Sequence, residues 1–162
     1  MLNDAQNAKL LSKLRRAMEV FEPYIFTKVA PLPFAMYETA ERLETIPEQS
    51  LFASPEQRPS GLEWGGEGNY CWFLTQYTPP EALAGQPLYL YPELGGYEAM
   101  LWVDGQPYGT YATKIVVTRH GNHYCDRICA AATPGTPIDL AIEFYAGHYV
   151  VGEQPYERRV HG

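Results

Sequence analysis

Leu10, Leu11, Leu14, Met18 and Phe21 recur at three- and four-residue spacing, one stripe of a 3.6-residue turn, and predict an amphipathic α-helix near the start of the chain. Asp4 stands where it can cap that helix, and Glu22-Pro23 ends it because the residue before a proline is driven out of the α region. Lys9, Lys13, Arg15 and Arg16 form a solvated flank. A basic membrane-surface helix is the functional alternative, and the acidity of the remaining chain argues against it.

From Pro23 to Gly61 neither helical nor strand periodicity is sustained, and Pro23, Pro31, Pro33, Pro47, Pro55 and Pro59 punctuate the segment. It reads as an ordered connector with a short helical turn around Met36 to Leu43. Phe26, Val29, Leu32, Phe34 and Phe52 are scattered through it and need burial, so it should lie along other surfaces.

After Gly61 the pattern changes to short extended runs bounded by turn residues. The expected strands are Tyr70 to Tyr77, Pro87 to Tyr91, Tyr97 to Val103, Tyr111 to Thr118, Tyr124 to Ala130 and Pro137 to Tyr145, with Asp104-Gly105 as a tight turn after the third. Short strands without intervening helices predict a mainly β fold: an antiparallel β-sandwich of jelly-roll, galactose-binding-like type, preceded by the helix and the Pro-rich connector. Residues 1–60 then form the helix and connector packing on the sandwich, and residues 61–162 the sandwich itself.

Alternation along the strands sharpens this expectation. Leu88 and Leu90 share one face and Tyr89 and Tyr91 the other, while Ala99, Leu101 and Val103 oppose Met100 and Trp102. Both faces are apolar or aromatic, so the second needs a cover: the N-terminal segment, a neighbouring domain or a ligand. The last strand sets Asp139 and Glu143 opposite Ile138, Leu140, Ile142 and Phe144 and reads as ordinarily half exposed.

Composition narrows the function classes. The 162 residues are about one domain's worth, and 46% apolar with 19% charged content excludes a disordered chain. Nineteen acids against twelve bases, net charge -7, disfavour nucleic acid or an anionic membrane as partners. Half of the aromatic residues fall between Pro59 and Thr113, where no Lys or Arg occurs, so that stretch suits neutral partners such as sugars, or another protein surface. Three cysteines, with no basic and apolar leader, point to a reducing, cytoplasmic setting.

Chemical motifs are few. His120, His123, Cys125, Asp126 and Cys129 are zinc-ligand types, but in a strand Cys125 and Cys129 would stand about 13 Å apart, too far to share a metal. Gly65-Gly66-Glu67-Gly68 lacks the strand and the Gly-Lys-Ser/Thr of a phosphate loop. No G-x-S-x-G occurs, and the pairs Glu63 with Glu67 or Glu98 with Asp104 are only nominal glycosidase carboxylates. No catalytic, metal or cofactor residue is assigned. Aromatic faces stack on sugar C–H surfaces, so Tyr89, Tyr91, Trp102, Tyr145 and His148 are the expected sugar or domain-contact surface.

Several of these runs carry a resemblance. Trp64-Gly65-Gly66 followed by Trp72-Phe73, then Ala84-Gly85-Gln86-Pro87-Leu88, then Gly96-Tyr97-Glu98-Ala99-Met100-Leu101-Trp102-Val103-Asp104-Gly105, and finally Pro134-Gly135 and Tyr145-Ala146-Gly147-His148 resemble the N-terminal β-sandwich of bacterial α-mannosidases of glycoside hydrolase family 38. The likeness runs from about Gly61 to Pro155, and sandwiches of family 2-like glycosidases share its shorter pieces. It implies a non-catalytic accessory domain of a zinc-dependent retaining hydrolase, whose zinc ligands and nucleophile lie in a catalytic domain absent from this chain. The implied partner is that catalytic domain, with oligomer contacts also open. A stand-alone carbohydrate-binding module is the alternative.

Overall fold

The computed structural model describes residues 3–21, 24–54, 64–92, 94, 98–112 and 126–147. The chain divides into two compact units, Met1–Pro31 and Leu32–Gly162.

In the first unit, helix α1 spans Asp4–Phe21, ending one residue before Glu22-Pro23. Its cap is Asn3 rather than Asp4. The Asn3 side-chain oxygen accepts from the Gln6 N–H (2.9 Å) and the Gln6 side-chain oxygen accepts from the Asn3 N–H (3.0 Å), a reciprocal capping box. Asp4 sits inside the first turn, where its charge meets the positive end of the helix dipole. Leu10, Leu11, Leu14, Met18 and Phe21 are all exposed, and α1 has no buried residue.

The second unit is mainly antiparallel β. Its strands are β1 (Ala35–Thr39), β2 (Tyr70–Tyr77), β3 (Leu88–Leu90), β4 (Glu98–Val103), β5 (Gln106–Ala112), β6 (Asp126–Cys129) and β7 (Ile138–Tyr145). Five form one sheet in the order β1-β2-β7-β4-β5, and β3 pairs with β6 in a second. These are the two layers of a sandwich.

Two expectations about the elements change. Met36 to Leu43 holds no helical turn: β1 forms there, with Met36 opposite Phe73 and Tyr37 opposite Trp72, because the apolar face of β2 offers Met36 burial that an isolated turn could not. A strand from Tyr111 is likewise displaced, since β5 begins at Gln106 directly after the Asp104-Gly105 turn and ends at Ala112; residues 113–118 lie outside the described residues. Asp104 (φ 50°) and Gly105 (φ 75°) both lie in the left-handed region, as a two-residue hairpin turn requires. Pro107 is accommodated because β5 is an edge strand and a bulge interrupts its pairing between Leu101 and Trp102.

The core lies between the layers. On the inner face of the large sheet Cys71, Phe144, Ala99 and Tyr111 align across β2, β7, β4 and β5, beside the row Met36, Phe73, Ile142 and Leu101. Leu88, Leu90, Leu94, Ile128 and Ala132 join the same buried cluster. Trp64 plugs its end. The indole packs on Phe73 (ring centroids 5.8 Å) and Phe144 (6.1 Å) and donates Nε1–H to the Leu94 carbonyl at 2.7 Å. Each of these large apolar side chains contributes about 1.5–3 kcal/mol by leaving water.

Candidate functional site

The outer face of the large sheet differs from the inner one. Strand alternation puts Tyr37, Trp72, Glu143, Met100 and Thr110 in one row across β1, β2, β7, β4 and β5. The next row is Ala35, Leu74, Ala141, Trp102 and Pro107; a third is Thr39, Tyr70, Tyr145 and Glu98. Trp72 and Ala141 are buried, so this face has a cover. Residues 42–52 supply it. Phe52 packs on Tyr37 (ring centroids 5.9 Å), Ile46 and Pro47 line a cleft of about 670 Å³ with Leu74 and Ala141, and Leu43 hydrogen-bonds Glu143 through its backbone. The second half of the expected connector thus belongs to the sandwich unit as a strap across one sheet face.

Glu143 is the unusual residue beneath the strap. It is 8% exposed, not half exposed as the strand pattern suggested, because β7 is the central strand and the strap crosses it. Burial raises its carboxyl pKa above the ordinary 4.5, while the Arg42 guanidinium and the Leu43 N–H pull it back. Its Oε1 is buried with no hydrogen-bond partner among the described residues, and so are the indole N–H groups of Trp72 and Trp102, whose rings lie 6.0 Å apart. Buried polar atoms without a protein partner are uncommon, and three of them share this face.

An open cleft of about 660 Å³ reaches Glu143 from the end of this face. Arg42, Glu98, Glu143 and Thr110 supply its polar side chains. Tyr70 and Tyr145, cross-strand partners with rings 5.0 Å apart at 35°, supply a half-buried aromatic wall. The volume is in the range of small-molecule sites. With acids and a cation both present, the lining suits neither a strong anion nor a strong cation.

The four expected surface residues that are described are dispersed. Tyr145 lines the cleft, and Trp102 lies on the same sheet face, half-buried. Tyr89 projects from the small sheet with 47% exposure, and Tyr91 follows it at 54%. His148 lies outside the described residues, as do His120, His123, Cys125 and Glu63. Glu98 and Asp104 stand at opposite ends of β4, about 20 Å apart by strand rise, and so form no carboxylate pair. The acid that joins Glu98 in the cleft is Glu143. Its signal was the single acid between Ile142 and Phe144 in an apolar strand; Arg42 and Tyr70 gave no such signal.

Cys71 is fully buried in the core and Cys129 is half-buried, and neither is in a disulfide. Among the described residues no three His, Cys, Asp or Glu side chains could jointly hold a metal ion. No described helix is long and apolar enough to cross a membrane. Compared with known proteins, the chain matches no family model and no curated protein.

Proposed function

We propose that this chain is a non-catalytic N-terminal accessory domain of an α-mannosidase-like glycoside hydrolase, scaffolding its own cytoplasmic catalytic domain, which would hold the zinc and the nucleophile. One observation supports the reading: several of the residues that resemble the family, among them Trp64-Gly65-Gly66, Gly85, Gly135 and Ala146, stand at turns and junctions between strands. Trp64 fills the core, and the Gly65 N–H donates to the Glu38 carboxylate (2.8 Å). Gly65 (φ 129°) and Gly66 (φ 115°) adopt left-handed backbone that a side chain would strain. The Gly85 N–H donates to the Ala132 carbonyl (2.9 Å), the Gly135 N–H to Pro79 (3.0 Å) and the Ala146 N–H to Asn69 (2.9 Å). Motifs spent on corners belong to a framework. Two measurements test the reading. The natural reading frame should continue past Gly162 into a segment with paired zinc-ligand motifs, and the 162-residue chain should not hydrolyse a chromogenic α-mannoside. A stop codon at that point, or turnover by the chain alone, would overturn it.

A second reading, a carbohydrate-binding sandwich, is favoured by the cleft at Tyr70 and Tyr145. Saturable binding of mannosides with quenching of Trp fluorescence supports it, and silence towards all glycans tested excludes it.

A further inference from the structure

We propose that the cleft between the strap and the β2-β7-β4 end of the large sheet binds one neutral sugar ring, held by Glu98, Arg42 and Glu143 and stacked on the Tyr70–Tyr145 wall. This deepens the carbohydrate-binding reading and rests on it. The ligand class follows from the groups present. Glu143 lines the cleft while 8% exposed, and its enclosed Oε1 has no partner among the described residues, so a sugar hydroxyl at the inner end pairs with it as the side chain turns towards the cleft. Glu98 and Thr110 are exposed and stand at the mouth, offering an acceptor and a hydroxyl, and Arg42, also exposed, offers fixed donors. A phosphate or carboxylate ligand would meet two acids. An ammonium would meet Arg42. A hydroxyl group both donates and accepts, so a polyol satisfies acids and guanidinium together. The half-buried tyrosines add the apolar surface that distinguishes a sugar ring's C–H face from a linear polyol. The volume of about 660 Å³ takes one ring readily and remains open for chain extension.

The test titrates the ¹⁵N-labelled chain with methyl α-mannopyranoside, methyl β-galactopyranoside and glycerol, following backbone amide shifts. The expected result is saturable shifts at Tyr70, Glu98, Thr110, Glu143 and Tyr145 with a glycoside, and none with glycerol at the same concentration. Glu98→Gln, at an exposed position where folding is not at stake, should weaken binding about tenfold, since hydrogen bonds to a charged group are worth about that much. Tyr145→Ala should weaken it at least as much, and Tyr89→Ala on the small sheet should leave it unchanged. Glycoside binding that survives both Glu98→Gln and Tyr145→Ala, or shifts confined to Tyr89 and Tyr91, would overturn the site while leaving the carbohydrate-binding reading in place. No shift with either glycoside would overturn both and leave the scaffold reading standing.

Discussion

The two faces of the large sheet are built from the same strands yet buried in different ways. Inside, Phe73, Ile142, Phe144 and Leu101 meet a second sheet and its loops, and the indole that reaches them, Trp64, has its N–H bonded to Leu94. Outside, Tyr37, Leu74, Ala141 and Glu143 meet one irregular strap, and Trp72, Trp102 and Glu143 on that face each keep a polar atom without a partner among the described residues. A second sheet presents a continuous apolar surface whose backbone is already paired. A strap presents isolated side chains and carbonyls, and leaves clefts at its margins. Close packing therefore concentrates on one face and open clefts on the other.

The largest effect should separate the faces outright. Phe144→Ala, at the centre of the inner face, is expected to cost about 3–5 kcal/mol, since the cavity is walled by Trp64 and Phe73 and closes poorly. Phe52→Ala, on the half-buried strap, should cost about 1–2 kcal/mol because much of its ring is not enclosed. Urea midpoints at unchanged m-value measure both. Equal losses would mean that the strap is as integral to the core as the second sheet.

A smaller effect tests the unpaired indoles. Trp64→Phe and Trp72→Phe remove the same volume from buried positions, but only the first strands a carbonyl, that of Leu94. Trp64→Phe should therefore be less stable than Trp72→Phe by about 1–2 kcal/mol. A reversed order would show that the Trp72 N–H has a partner, such as ordered water, worth as much as the Leu94 bond.

The same contrast explains what the chain revealed before folding. Strand β2 was legible to its last residue and β7 to within one, because their alternation is strong and both ends carry turn residues. Asp104-Gly105 declared its hairpin through local chemistry alone. Strand β5 hid behind Pro107, which is tolerated only through an edge position and a bulge, both set by β4. Strand β1 hid for a related reason: Met36, Ala40 and Leu43 fit a helical period, and partnership with β2 decides otherwise. That the second face needed a cover was readable from Met100 and Trp102. That the cover was residues 42–52, and that it would bury Glu143 beside Glu98, depends on contacts about a hundred residues apart in the chain. Of the four expected surface residues that are described, Tyr145 alone lines the cleft, since aromatic identity does not tell which sheet or face a side chain occupies.

The subtlest contrast lies in proton binding beneath the strap. Burial raises the Glu143 pKa above 4.5, against the opposing pull of Arg42 and Leu43, so the folded chain holds this proton more tightly than the unfolded chain does. Its contribution is fully present below pH 4.5 and is lost as pH rises through the folded value. Glu143→Gln keeps the shape, can still accept from the Leu43 N–H, and never ionises. Compared across pH by urea unfolding, the variant should gain on the wild type as pH rises from 4.5 through the folded value, and the difference should then level off. The comparison cancels the distant surface acids that both chains share. A difference flat with pH would mean that the strap opens enough to solvate the acid. One running the other way would mean that Arg42 holds Glu143 ionised, making the outer face an ion-pair surface rather than a neutral one.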